Sequence, residues 1–74
     1  MIVDVELFGQ LAEDRERRYT LTLETKLTVS DIASQLGINL EAVGLVTIDG
    51  VQQTMGDIVP INCRLCFFPP MSGG

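Results

Sequence analysis

Residues 28–37 are the stretch of this chain whose apolar side chains fall at helical spacing. Val29, Ile32, Ala33 and Leu36 lie at i, i+3, i+4 and i+7, the stripe of a helix that buries one face. Thr28 precedes the stripe as an N-cap, Asp31 completes a capping-box pattern three residues on, and Gly37 stops the helix. The main apolar runs elsewhere alternate with a period of two, as half-buried strands do. A single amphipathic helix cannot enclose a core and must lie across a sheet, so the fold class is α+β.

The strands follow from that alternation. Residues 2–8 place Val3, Val5 and Leu7 on one face and Asp4, Glu6 and Phe8 on the other. Residues 19–24 alternate again and form a hairpin with the first run. Between them the charged stretch AEDRERR, residues 12–18, is a solvated turn with room for one helical turn. Asn39 caps a short turn through Val43. Residues 45–48 are short and mostly β-branched, and Asp49-Gly50 is the strongest hairpin signal in the chain, with residues 51–53 as partner. Residues 54–62 contain Gly56, Pro60 and Asn62 and read as a loop with room for a short helical turn. CRLCFF, residues 63–68, is the last strand, and Pro69 and Pro70 forbid further ladder bonds. The order β-β-α-β-β-β predicts a mixed sheet of four or five strands with one helix across one face. The apolar first and last strands belong side by side at its centre, as a parallel pair under the helix. Residues 1–68 form the domain and residues 69–74 a flexible functional tail.

Charge narrows the partners. Ten acidic residues against five basic give a net charge of −5, which opposes nucleic acid and anionic membrane surfaces and suits a basic protein partner. No apolar run approaches the length of a bilayer span, and the alternating, acidic start is unlike a signal peptide, so a cytoplasmic address is expected. Cys63 and Cys66 form a C-x-x-C, but the chain has no histidine and no second cysteine pair, so it cannot complete a soft-ligand zinc site. Residues three apart on a strand face opposite ways, and the two thiols read as small apolar side chains. No metal site is expected.

The chain ends FFPPMSGG. Two prolines stiffen an extended spacer, and six residues from Pro69 to Gly74 reach roughly 20 Å at full extension. Gly73 and Gly74 carry no side chains, so the backbone can pass a narrow channel and the terminal carboxylate is open to approach. An α-carboxylate, ionised at neutral pH, is a poor acyl donor and needs activation, most simply as an acyl adenylate. The chain contains no phosphate loop, no dinucleotide fingerprint, no histidine base and no nucleophile elbow. The catalytic groups must belong to a partner, and this protein is a carrier or co-substrate.

FFPPMSGG, taken with the Asp-Gly hairpin and the capped helix TVSDIASQLG, resembles the small subunit of molybdopterin synthase. This is the MoaD sulfur-carrier family, of ubiquitin-like β-grasp fold, and the resemblance covers essentially the whole chain. It implies that an E1-like, MoeB-like adenylyltransferase uses ATP and Mg²⁺ to adenylate Gly74, next to Gly73. A persulfide donor then converts the adenylate to a thiocarboxylate. The tail enters a MoaE-like large synthase subunit, in a heterotetramer, and gives its sulfur to the dithiolene of molybdopterin. On this reading the chain binds no cofactor and is not a catalyst alone. The family's partner surface matches at Phe8 and Phe68, continued by Pro69, Pro70, Met71 and Ser72. Two positions depart from the pattern: a third apolar contact near the hairpin falls on Gln52, and the acidic turn before the last strand is replaced by Pro60-Ile61-Asn62-Cys63. Three alternatives stay open: sulfur carriage for thiamine or another pathway, conjugation of Gly74 to protein lysines, and a passive interaction module. The Pro-Pro spacer after an aromatic favours molybdopterin over thiamine.

Overall fold

The structure is a computed structural model that describes residues 2–71; Ser72, Gly73 and Gly74, expected to carry the reacting end, lie outside the described residues. The described residues form five strands and one α-helix: β1 (Ile2–Leu7), β2 (Arg18–Thr22), α1 (Val29–Gln35), β3 (Leu45–Ile48), β4 (Val51–Gln53) and β5 (Cys63–Phe68). They form one mixed sheet in the order β2-β1-β5-β3-β4. The expected parallel pair is at its centre, with Val3 opposite Cys63, Val5 opposite Leu65 and Leu7 opposite Phe67. This is the β-grasp arrangement, with five strands rather than four.

The core lies between the sheet and α1. Val3, Val5, Leu7, Leu65 and Phe67 from the central pair meet Val29, Ile32 and Ala33 of the helix, all of them buried. Residues of the stripe that spacing assigned to the core are there, with Leu36 packed at its margin.

Seven residues make a short helix, and its ends explain why it holds. The first four backbone N–H groups of any helix lack intrahelical partners. Here the N–H groups of Val29 and Ser30 donate to the carbonyls of Asp57 and Met55, at 3.0 and 2.9 Å, and the Ile32 N–H donates to the Thr28 carbonyl at 3.2 Å. The capping box supplies the remaining bonds: the Asp31 N–H donates to Thr28 Oγ1 at 3.1 Å, and the Thr28 N–H donates to Asp31 Oδ2 at 3.0 Å. At the other end Gly37, at φ +73°, closes a Schellman pattern in which the Gly37 and Ile38 N–H groups reach the carbonyls of Ser34 and Ala33. Arg15 then donates to the carbonyls of Leu36 and Gly37 at 2.9 and 3.4 Å.

These bonds revise two expectations about loops. Residues 54–62 contain no helical turn; their carbonyls cap α1, the Val59 N–H bonds the Leu27 carbonyl at 2.8 Å, and Ile58 forms an antiparallel bridge with Thr28. The charged stretch 12–18 contains no helical turn beyond Ala12, where a 3-10 turn, Gly9–Ala12, ends. Its Arg15 serves the helix, and its Arg18 already belongs to β2, which runs from Arg18 to Thr22 rather than over residues 19–24. The Asp49-Gly50 hairpin is as expected, both residues at positive φ, +51° and +85°. Before β5, Asn62 turns the chain at φ +56° and donates its N–H to the Ile2 carbonyl at 2.8 Å, taking the place of an acidic turn. Among the described residues no helix is long and apolar enough to cross a membrane.

Thr28→Ala removes the side chain that accepts from Asp31 and is expected to cost about 1 kcal/mol. In urea unfolding the midpoint should fall while the m-value stays constant.

Candidate functional site

The parallel register carries its pairing past the ends of both strands. Leu7 stands opposite Phe67, so Phe8 comes to lie beside Phe68 and Gly9 beside Pro69. The Phe8 N–H donates to the Phe67 carbonyl at 3.1 Å. The two phenyl rings stack with centroids 4.5 Å apart and planes 9° from parallel. Alternation places both on the sheet face away from α1, because Leu7 and Phe67 point into the core. Both rings are half-buried, each covering one side of the other. Leu45, opposite Phe68 in register, adds a partly exposed apolar neighbour at the same end. Gln52 is exposed on β4.

The prolines follow directly. Pro69 is half-buried, Pro70 and Met71 are exposed, and Met71 stands 93% open to solvent. The root of the tail passes two glycines that alternation and turn signals did not single out. An ideal Cβ on Gly9 would lie 2.9 Å from Pro69 Cγ, and one on Gly44 would lie 2.5 Å from Pro70 Cα and 2.7 Å from Pro70 N. The Gly44 N–H donates to the Phe68 carbonyl at 2.8 Å. A glycine just ahead of a strand, outside any turn dipeptide, is the one sequence sign of such a close approach.

Beside the aromatic pair the open face is ionic. Strand alternation put Glu6 outward, yet its side chain is only 8% exposed. Arg64 donates to Glu6 Oε1, and Arg18 Nη2 lies 3.8 Å from Glu6 Oε2. The two arginines roof the carboxylate and remain mostly solvated themselves. Together with Asp4 and Thr20, whose Oγ1 donates to Asp4 Oδ1 at 3.2 Å, they line a groove of about 330 Å³. Composition alone did not show this cluster; pairing β1 with both β2 and β5 does, since it brings Arg18 and Arg64 to the two sides of Glu6.

The cysteines diverge as strand geometry requires. Cys63 faces the core and Cys66 the open face, in register between Glu6 and Thr47; both are buried free thiols. Burial, with the nearby charge of Asp49, pushes the Cys63 thiol up, so it stays protonated at neutral pH.

No family model and no curated protein matches the sequence. Solved structures do match in fold. SAMP1 from Haloferax volcanii is 24% identical with a TM-score of 0.77, over 100% of both chains. A chain of the complex of subunits 1 and 2 of molybdopterin-converting factor from Helicobacter pylori is 15% identical with a TM-score of 0.66, again over 100% of both chains. A further H. volcanii protein, solved in solution, is 16% identical with a TM-score of 0.74 and covers 100% of this chain and 87% of its own. Each shares the β-grasp architecture.

The hydrogen bond from Arg64, with the charge of Arg18, holds the Glu6 carboxyl below its ordinary range, against burial, which raises it. A carboxylate whose folded pKa is depressed stabilises the fold above its unfolded pKa, and that contribution is lost as pH falls through the folded value. Glu6→Gln is therefore expected to flatten the acid limb of the Tm–pH profile and to lower Tm at neutral pH. An acid limb identical to wild type would assign the titration to another group.

Proposed function

We propose that this protein is a carrier whose Gly74 carboxylate is activated by a partner enzyme and loaded with sulfur, in the manner of the MoaD family. The carboxylate attacks the α-phosphorus of ATP on an E1-like adenylyltransferase that also holds Mg²⁺, and pyrophosphate leaves. The terminal sulfur of a protein persulfide attacks the acyl carbon and AMP leaves. A second thiol then cleaves the S–S bond of the acyl disulfide, giving the thiocarboxylate and a new disulfide on the donor side. The loaded tail gives its sulfur to a molybdopterin precursor in a large synthase subunit.

The observation that carries this reading is the placement of FFPP. Strand β5 runs through the centre of the sheet and delivers the tail beside an aromatic pair on the face that α1 leaves uncovered. A stacked pair flanked by Leu45 is a compact anchor of the kind that dominates protein interfaces. The likeness to a chain of the molybdopterin-converting factor complex supports a large-subunit partner. Conjugation to proteins is the second reading, favoured by the higher TM-score against SAMP1, a small archaeal modifier protein. Both uses start from the same adenylate.

Intact-mass analysis of the protein from its own cells, with fragmentation of the C-terminal peptide, separates them. Exchange of one terminal oxygen for sulfur at Gly74 is the expected result. A branched peptide joining Gly74 to a target lysine selects the modifier reading, and failure to form any adenylate with the activating enzyme, ATP and Mg²⁺ removes both. Deleting Gly74, or extending the chain beyond it, is expected to abolish adenylation with the Tm unchanged.

Phe68→Ala tests the aromatic face. It is expected to weaken binding to the activating enzyme or large subunit by about 2 kcal/mol, roughly 30-fold in Kd by calorimetry. Unchanged affinity with an earlier melt would mean that the ring holds the sheet rather than a partner.

A further inference from the structure

We infer that Gly44, with Gly9 opposite it, is a positioning residue that sets the direction in which residues 69–71 leave the sheet; the inference rests on the reading of Gly74 as the reacting end. Glycine is required at Gly44 for one reason only. Its φ lies outside the left-handed region, so alanine could adopt the same backbone. A side chain there would meet backbone: Pro70 Cα at 2.5 Å, Pro70 N at 2.7 Å and the Pro69 carbonyl oxygen at 2.9 Å. Contacts that short do not occur, and a proline backbone has little freedom to yield.

Gly44 also holds what it makes room for. Pro69 has no N–H and cannot continue the ladder beyond Phe68. The Gly44 N–H donates to the Phe68 carbonyl at 2.8 Å, the last acceptor before the prolines. On the other flank Gly9, at φ +57°, leaves the Pro69 ring in contact with the 3-10 turn that follows β1. The prolines therefore run between two backbone walls, one on each side of β5.

The same bonds tie the tail root to the aromatic pair. Phe68 bonds Gly44 through its carbonyl and stacks on Phe8 through its ring, while the Phe8 N–H bonds Phe67. A partner that seats the aromatic pair thus receives residues 69–71 from a set direction. Directing the first two residues of a six-residue spacer restricts where its end can travel before any enzyme channel contributes. Placement of this kind acts on the chemical step, where an error of about 1 Å can cost on the order of 100-fold.

The test is Gly44→Ala, with Gly56→Ala as control, because a Cβ at Gly56 meets nothing within 4 Å. For Gly44→Ala the expected result is a kcat for adenylation, read as pyrophosphate release with the activating enzyme, ATP and Mg²⁺, reduced about tenfold or more. KM should stay within about twofold, since the docking face is intact. Gly56→Ala should behave as wild type. Equal falls in both variants, or a rise in KM alone, would overturn the positioning role. The direction of the tail is read separately by NMR on the wild-type protein. An NOE between Gly44 Hα and Pro70 Hα, lost together with a shift of the Met71 amide in Gly44→Ala, is expected; its absence in wild type overturns the inference even if Gly44→Ala fails to fold. If wild type is never adenylated, the carrier reading fails, and the NMR result alone decides the geometry.

Discussion

The pairing of β1 with β5 is the contact on which the rest of the structure depends. It joins the two ends of the domain in parallel, puts the most deeply buried side chains back to back under α1, and sets what lies at the far end of the sheet. Two parallel strands leave the sheet in the same direction. Their continuations are therefore neighbours, and Phe8 meets Phe68 and Gly9 meets Pro69 without any further element to bring them together. An antiparallel pair would have placed the turn after β1 at the opposite end from the prolines. The aromatic pair and the root of the tail are thus consequences of strand direction before they are properties of particular side chains.

Much of this was legible in the sequence because the signals were local. The helix had a cap, a stripe and a stop, and the Asp49-Gly50 turn admits both residues at positive φ. The apolar character of residues 2–8 and 63–68 was enough to place them together. What was not legible depended on partners far along the chain. The loop at residues 54–62 looked free to make a helical turn because nothing nearby shows that its carbonyls are spent on the N–H groups of Val29 and Ser30. Glu6 looked solvated because alternation assigns a face without saying what covers it. Gly44 carried no turn signature because its need for glycine comes from a backbone that passes over it, not from its own dihedrals.

The open face has two characters joined at one edge. Near the tail it is apolar and stacked; toward the other end of β1 it is ionic, with Glu6 held between Arg18 and Arg64. A buried carboxylate with two arginines over it is tolerated because their charge and the Arg64 hydrogen bond offset its loss of solvent; the arginines themselves stay largely solvated. That arrangement keeps the middle of the face that α1 leaves uncovered polar, and separates the aromatic pair at one end of β1 from the exposed Ile2 at the other. The net negative charge of the chain works in the same sense, keeping copies of the domain apart.

The central pair also sets how much chain folding must close. Positions 3 and 63 face one another, so β1 meets β5 only by closing a loop that takes in nearly the whole domain. Closing a loop that long costs more chain entropy than forming a hairpin or a helix. The aromatic pair and the cradle for the prolines depend on that closure, because each takes one half from either end of the chain. A molecule in which β1 and β5 have not paired therefore has neither the stacked rings nor the two backbone walls around the prolines, however well its hairpins and helix have formed.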